Sequence, residues 1–599
     1  MVTSHYKSNL RDIEFNLFEV FGVQNYLNDD VWPEIDRSTI QDILIEIERL
    51  AREDFAASYF DQDRIPLELI DGEVRLPDSV KKSIDAYRQG GWNRLGLSSD
   101  LGGTPVPAIA SWAAAEMLLA ANTTVQFYAG GGLFARVLFE EGTEQQKELA
   151  RLWVEKDWAG TMVLTEADAG SDVGAGTTKA IDQGDGTWHI EGVKRFITGG
   201  EHDASENILH LVLARPEGGV PGTKGLSLYL VPKYLINDDG SPGARNGVYA
   251  TNIEKKMGLK GSTTCELTFG VGEPAIGYLV GDRHDGIRQM FRVIESARMM
   301  IGTKAMGTLS TGYLNSLAYA KERVQGPDLA DATDRTAPKV TIINHPNVRR
   351  MLMSQKAYAE GLRALVLYTA WVQDQEKLHP EDDTWERRNN LLLPMVKGYS
   401  SERAYALLAT SLQVFGGSGY TQDYPMEQYI RDAKIDTIYE GTTGIQALDL
   451  FFRKIARDQG AAIASLAGEI VEFVKGGEDE DPLATEREML GRMLDDAQGH
   501  IGSMVGHLMS NMGGQREDIY KVGLHASPLL ESLSEVVISW LMLRQAEVAI
   551  TRVEDDPFYL GKVEAMRWFL ADVAPKVEAR RIAAEAEDGA LMTLPESAF

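Results

Sequence analysis

The 599-residue chain contains a single cysteine, Cys265. That scarcity excludes an intramolecular disulfide framework and any cysteine-rich zinc or iron–sulfur site, and it fits a reducing compartment. Positive charge is also in short supply: 60 Lys plus Arg against 89 Asp plus Glu leave a formal charge of −29. So acidic a protein is poorly matched to a phosphate backbone, and no nucleic-acid partner is expected. Long apolar runs are lacking. The densest late one, Val536–Leu543, is closed off by Glu535 and Arg544, whereas about 20 residues are needed to cross a bilayer. The opening MVTSHYKSNLRD has no apolar core of a secretion signal. A cytoplasmic location without membrane association is therefore expected. The histidines are scattered, with no His-x-x-x-His pair on a helix, and His500 and His507 suit surface or core positions better than a metal site. No metal is expected. No Gly-x-Gly-x-x-Gly follows a strand, and the one Gly-Lys pair, Gly561-Lys562, runs into Val563 rather than a phosphate-loop hydroxyl.

What is present is globular: 44% hydrophobic and 25% charged residues, with length for roughly four domains. Ile40, Ile43, Leu44, Ile47, Leu50 and Ala51 recur at helical spacing, and Ser38 with Gln41 predicts a capping box at the start of that helix. Leu133–Val154 reads as helix broken at Gly142-Thr143. From Met162 to Phe269 the pattern shortens to strands. Gly184-Asp-Gly186 marks a hairpin turn, Ile208–Ala214 and Leu226–Val231 read as buried strands, and Cys265, Leu267 and Phe269 alternate with polar neighbours. Cys265 is thus predicted to be a packed residue and not a nucleophile. Helical spacing returns from Ile287 onward, with connections at Gln325–Pro346 and His379–Thr384 and a solvated loop at Gly476–Pro482. Helices, then strands, then helices imply separate α, β and α parts rather than a βαβ sheet.

Three segments stand out for chemistry. Met162-Val-Leu-Thr-Glu-Ala-Asp-Ala-Gly-Ser-Asp-Val173 leaves a strand into a loop with hydroxyls at Thr165 and Ser171, able to meet a flat polar heterocycle or a phosphate. Lys194-Arg-Phe-Ile-Thr-Gly-Gly200 offers a ring and a hydroxyl. Between Gln413 and Thr443 come a glycine cluster, Phe415-Gly-Gly-Ser-Gly419, and then Ile438-Tyr-Glu-Gly-Thr-Thr443, where a glutamate can project into a cleft. Taken singly, each is matched by an ordinary turn, hairpin or solvated glutamate. Taken together, in this order, they resemble the flavin-dependent acyl-CoA dehydrogenase family.

The resemblance runs over roughly residues 90–455. The N-terminal YKSNLRDIEFNLFEVFG, the length and the helical region after about 456 point to a long bacterial subgroup that includes mycobacterial broad-range enzymes and methylmercaptopropionyl-CoA dehydrogenases. It implies a mostly α fold with a central β-domain: an N-terminal helical domain (1–160), a β-barrel-like domain (161–280), a four-helix bundle (281–455) and an additional helical domain (456–599). It implies FAD as cofactor, with Leu164, Thr165, Gly170 and Ser171 lining it and Phe196, Ile197 and Thr198 flanking it. Arg323, Gln325, Gln413 and Gly417 match cofactor contacts made across a homodimer, and Thr442 and Thr443 match flavin-side positions. Glu440 matches the catalytic base. The alternative position for that base in some members falls on Ala297, which cannot serve. Ser171, Glu295, Arg298 and Gly441 match substrate-side positions, although Arg298 equally suits a structural ion pair. Gln126–Gly132 matches the helix lining the acyl pocket, where its small residues admit either a longer chain or close helix packing.

The implied reaction is α,β-dehydrogenation of acyl-CoA thioesters to trans-2-enoyl-CoA within fatty-acid β-oxidation and lipid metabolism, with electron-transfer flavoprotein as acceptor. Such chemistry needs a carboxylate whose basicity is raised by burial, donors for the enolate oxygen, and a hydride acceptor. The rival readings are an acyl-CoA oxidase, a DNA-associated relative, which the acidic charge opposes, and a flavoprotein without turnover, which an intact Glu440 opposes. A nitroalkane-oxidising relative would carry aspartate at position 440.

Overall fold

The computed structural model describes residues 4–28, 30–477 and 481–599. The central part of the expected Gly476–Pro482 loop lies outside the described residues. The chain forms two compact units, one from Trp32–Ala297 with the chain start through Tyr6, the other from Lys7–Val31 and Arg298–Phe599.

The first unit opens with helices. Arg37–Leu50 buries Ile40, Ile43, Leu44, Ile47 and Leu50, the face that the spacing predicts. Its cap differs from the expected capping box. Asp36 is the capping residue, its carboxylate accepting from Thr39 N at 2.7 Å and from the Ser38 hydroxyl at 2.8 Å. A carboxylate satisfies the free N–H groups and also complements the positive helix end, so Ser38 is drawn into the first turn as its partner. The break at Gly142-Thr143 separates helices Gly131–Glu141 and Glu144–Glu155, and there a capping box does form between Thr143 and Gln146.

The strands follow as β1 (Ala159–Val163), β2 (Lys179–Asp182), β3 (Trp188–Thr198), β4 (Ile208–Pro216), β5 (Ser227–Pro232), β6 (Val248–Ile253), β7 (Thr264–Phe269) and β8 (Ala275–Leu279). β3 pairs with β8, β8 with β5, β5 with β4, β4 with β2, and β2 returns to β3, closing a ring. β7 and β6 extend from β3, and β1 lies parallel to β4. Closure leaves the five ring strands without a free edge, while β6 and β1 end the two branches. The β2–β3 hairpin turns at Gly184 and Gly186, both left-handed with φ of 79° and 93°. Ile190, Ile197, Val212, Tyr229, Leu267 and Phe269 share one core. Cys265 is packed there, and burial pushes its thiol up to about 12, so it is a core residue as predicted.

The second unit is helical. It takes the later part of Gly286–Glu322, then Pro346–Leu378, Asp383–Pro394, Ser400–Phe415 and Met426–Lys434, followed by the long helices Ala484–Met512, Asp518–Ile550 and Pro557–Glu585. The Gln325–Pro346 connection contains a small antiparallel pair, Val324–Pro327 with Lys339–Thr341. Val536–Leu543 is the middle of Asp518–Ile550, a helix long and apolar enough to cross a membrane, although 83% of its most apolar window is buried among its neighbours. Glu535 and Arg544, which bound the apolar run in the sequence, are both accommodated inside the bundle. Glu535 accepts from Tyr399 and Arg580, and Arg544 lies over the Trp540 ring.

The chain start is divided differently from the expected 1–160 block, because residues 7–31 pack with the second unit. Phe15 packs against Phe558 and Phe21 against Tyr368, and a buried charge cluster joins the same segments. Asp12 is fully buried and accepts from Arg363 at 2.6 Å and from Lys562 at 2.7 Å, and Lys562 also reaches Glu360 at 2.9 Å. Burial opposes the Asp12 charge, but Lys562 and Arg363 outweigh it and hold the carboxyl at about 2. One aspartate thereby ties the N-terminal helix to two helices far along the chain. Removing it takes a shared carboxylate from two buried cations, so Asp12→Ala should lower stability by about 3–5 kcal/mol, read as a drop in the midpoint of denaturant unfolding.

Candidate functional site

The first two motifs come together at one end of the strand ring. Thr165 O accepts from Arg195 N at 2.9 Å. Glu166 turns inward and accepts from Thr177 N (2.7 Å), the Thr177 hydroxyl (2.8 Å), Thr178 N (3.0 Å) and Lys194 Nζ (2.9 Å). Lys194 Nζ also donates to Leu164 O at 2.8 Å. Burial opposes the Glu166 charge, but Lys194 and these donors hold its carboxyl at about 2. The glutamate of one motif and the lysine of the other thus shape the loop that carries Leu164, Thr165, Gly170 and Ser171. Neither was assigned a role from the sequence. The available signal was no more than one acidic residue among Glu166, Asp168 and Asp172 in the first motif and one basic residue of Lys194 and Arg195 in the second.

Phe196 owes its position to a bulge. The β3–β7 pairing jumps from Ile197–Cys265 to Lys194–Leu267, so Arg195 and Phe196 oppose the single residue Glu266. Phe196 takes a left-handed φ of 61° and is 56% exposed, with the Arg195 guanidinium 5.0 Å from its ring centre. Such a conformation costs about 1–3 kcal/mol in a non-glycine residue and recurs where a side chain must be re-aimed. Ile197 points the other way into the core at 2% exposure, so it offers a ligand only its backbone. A side chain at Gly170 would meet nothing within 4 Å, and Ser171 is exposed. An exposed ring, an open glycine and the hydroxyls of Thr165, Ser171 and Thr198 fit a flat, polar-edged heterocycle such as a flavin.

Glu440 belongs to a second group. After the helix Met426–Lys434, Glu440 and Gly441 take consecutive left-handed conformations, with φ of 55° and 88°, before Thr442 caps Thr443–Asp449. Gln446 Nε2 donates to Glu440 O at 3.0 Å and to Gly441 O at 3.3 Å, and Lys397 Nζ donates to Gly441 O. Beneath the turn, Lys304 binds both Asp436 oxygens at 2.7 and 2.8 Å and Tyr439 OH donates to the same carboxylate at 2.9 Å. Burial raises the half-buried Glu440 carboxyl to about 7, against the partial opposition of Lys397 and Arg298. A carboxyl poised there is matched to general-base work at neutral pH. Arg298 takes the structural alternative offered by the sequence, pairing with Asp449 at 2.7 Å. Thr442 uses its hydroxyl on Ile445 N, and Thr443 donates to Glu402 at 2.6 Å.

The remaining expected residues lie elsewhere. Arg323 follows the helix Gly286–Glu322, Gln325 is on Val324–Pro327, Gln413 is in the last turn of the helix Ser400–Phe415, and Gly417 is in the short turn Gly416–Tyr420 that follows it. Tyr319 stacks on Phe415 at 4.4 Å, which draws these two pairs towards one end of the second unit, where all four residues are exposed. Glu295 is half-buried in the first unit. In the Gln126–Gly132 stretch, a side chain at Gly131 would fall 2.0 Å from Trp158 O, and one at Gly132 would fall 2.7 Å from Leu97. Those glycines therefore serve close packing. Among the described residues no group of three His, Cys, Asp or Glu is placed to hold a metal. His500 is a buried core residue whose ring lies 6.0 Å from that of His525.

Comparison with known proteins gives concordant matches. Residues 161–270 match the acyl-CoA dehydrogenase middle-domain family, 284–453 the acyl-CoA dehydrogenase C-terminal-domain family, and 466–595 the acetyl-CoA dehydrogenase C-terminal-like family. The chain is 53% identical to a broad-specificity linear acyl-CoA dehydrogenase of Mycobacterium tuberculosis, over 100% of both chains. It is 32% identical to a 3-methylmercaptopropionyl-CoA dehydrogenase of Ruegeria pomeroyi, covering 95% of this chain and 96% of that one. The fold is similar to that of an acyl-CoA dehydrogenase complexed with FAD from Bacillus anthracis, with a TM-score of 0.72 at 20% identity, covering 94% and 91% of the two chains.

The raised Glu440 value has a stability consequence. Its folded-state carboxyl is raised from 4.5 to about 7, so the folded state holds a proton that the unfolded state releases between those values. Stability then falls as pH rises through that window. Glu440→Gln removes the penalty. Its stability advantage over the native chain should grow from about pH 4.5 and level off above about pH 7, reaching at most about 3 kcal/mol, as measured by denaturant unfolding across pH. An advantage that does not vary with pH would contradict the raised value.

Proposed function

The chain belongs to the acyl-CoA dehydrogenase family, and from that premise we propose that Glu440 is the base that removes the α-proton of an acyl-CoA thioester as the trans-2-enoyl product forms. The observation that carries this reading is a carboxyl raised to about 7 by burial, on a turn whose main chain is held by buried donors. An α-proton of a thioester is weakly acidic, so its abstraction needs an aligned base of raised basicity and the exclusion of water. Gly441, without a side chain, allows the thioester to approach the main chain, and N–H groups of this turn are suited to the developing enolate oxygen. When bound, FAD supplies the acceptor for the β-hydride.

Leu164, Thr165, Gly170, Ser171, Phe196 and Thr198 would hold the flavin, with Ile197 contributing backbone alone. Arg323, Gln325, Gln413 and Gly417, exposed on the second unit, would complete the cofactor site of a partner copy in a homodimer. Thr442 and Thr443 would contribute through groups left over from capping and from Glu402. Ser171, Glu295, Arg298 and Gly441 would face the substrate, with Arg298 acting through its charge while paired to Asp449. Electron-transfer flavoprotein is the proposed electron acceptor and the cytoplasm the proposed location. Full-length similarity to a broad-specificity linear acyl-CoA dehydrogenase supports linear acyl-CoAs as the substrate class.

Anaerobic mixing with a panel of saturated linear acyl-CoAs should bleach the flavin absorbance. Glu440→Gln should stay yellow and slow that bleaching by at least about 10²-fold. A yellow native protein that no acyl-CoA bleaches would contradict the reading. Phe196→Gly should relieve the left-handed strain, so that the flavin-free protein gains about 1 kcal/mol while flavin retention on gel filtration falls.

A further inference from the structure

Lys397 is a fully buried lysine that the reaction scheme leaves without a role. It lies in Met395–Tyr399, a widened helical turn that directly follows Pro394. Such π-type turns re-aim a side chain that a regular helix would direct elsewhere. Burying an ammonium is costly unless it is paired and hydrogen-bonded. Here it donates to the carbonyl of Gly441, the residue after the proposed base. Gln446 covers the same carbonyl and that of Glu440. The two left-handed residues are therefore held by two side chains reaching in from different helical segments.

The charges around the turn are unequally committed. Arg298 is paired with Asp449 at 2.7 Å. Asp436 is held by Lys304 and Tyr439. Glu402 accepts from Thr443 at 2.6 Å. Lys397 is bound to a neutral carbonyl, so its charge is less compensated than that of Arg298. Asp436, Glu440, Arg298 and Glu402 all act on it, and burial lowers its ammonium to about 8. Burial likewise raises Glu440, and Lys397 is the largest influence opposing that rise.

We propose that Lys397 is the positioning residue of the base: its ammonium holds the Gly441 carbonyl and with it the left-handed turn carrying Glu440, and it supplies the positive charge beside that carboxylate. This rests on the reading of Glu440 as base. Lys397 does not take the proton. It keeps the carboxylate charged and aimed before the α-proton is abstracted, and Arg298, already paired, cannot replace it.

The test compares Lys397→Met and Lys397→Arg with the native holoenzyme and with Glu440→Gln, following flavin bleaching by a linear acyl-CoA across pH. Lys397→Met should keep its FAD but bleach about tenfold more slowly at pH 7, with its acid limb moved up by about one pH unit. Lys397→Arg should restore the limb. A second readout needs no turnover: the pH-dependent part of the stability change in Lys397→Met between about pH 4.5 and pH 7, below the lysine's own titration, should vanish when Glu440→Gln is also present. Should Lys397→Met fail to fold, Lys397→Gln, which keeps a donor without charge, should show the same displaced limb. A flavin-loaded Lys397→Met or Lys397→Gln protein with the native limb would overturn the proposal. Native bleaching by Glu440→Gln would instead overturn the assignment of the base, whatever the lysine variants do.

Discussion

Holding a carboxylate away from water while leaving it free to take a proton is a demanding arrangement, and the second unit is organised around it. Burial alone would leave Glu440 protonated, and a close ion pair would leave it charged but weakly basic. The structure lies between these limits. Two cations are near enough to oppose the desolvation, yet one is paired with Asp449 and the other is bound to a main-chain carbonyl. Glu440 and Gly441 form a left-handed pair, and Gln446 and Lys397 satisfy the carbonyls that this turn exposes. Lys304 and Asp436 neutralise one another beneath it.

The first unit solves a related problem on a sheet. A regular antiparallel pairing would alternate side chains between core and surface, but the bulge at Arg195 and Phe196 gives two successive residues to the outer side. Ile197 can then return to the core while Phe196 and Thr198 remain accessible. The buried Glu166–Lys194 pair joins the neighbouring loop to the same strand. Both sites thus place a left-handed non-glycine residue near a buried lysine that donates to a main-chain carbonyl.

Much of the local structure was legible in the sequence. The apolar face of Arg37–Leu50, the β2–β3 turn at Gly184 and Gly186, and the packed Cys265 all follow from spacing, because periodicity and turn chemistry act over a few residues. The cap at Asp36 rather than Ser38 was a local competition between two good capping residues, and a charged carboxylate prevailed. What spacing cannot report is contact between distant segments. Lys397 with Gly441, Arg298 with Asp449, and Asp12 with Arg363 and Lys562 are each separated by tens to hundreds of residues. Each is a buried charge, which a sequence pattern records only as a polar residue on an otherwise apolar face. The last of these pairings is among the contacts that join residues 7–31 to the second unit. Glu440 itself was recognisable through the motif around it, whereas its raised basicity depends on those distant partners.

The central claim is that Glu440 is a carboxyl held near neutrality by its surroundings. It is tested most directly by infrared difference titration of the flavin-loaded protein, with Glu440→Gln subtracted as reference. The account predicts one carboxyl band, absent from the variant, that is lost with a midpoint at about 7. A band lost at the ordinary glutamate value near 4.5 would contradict it.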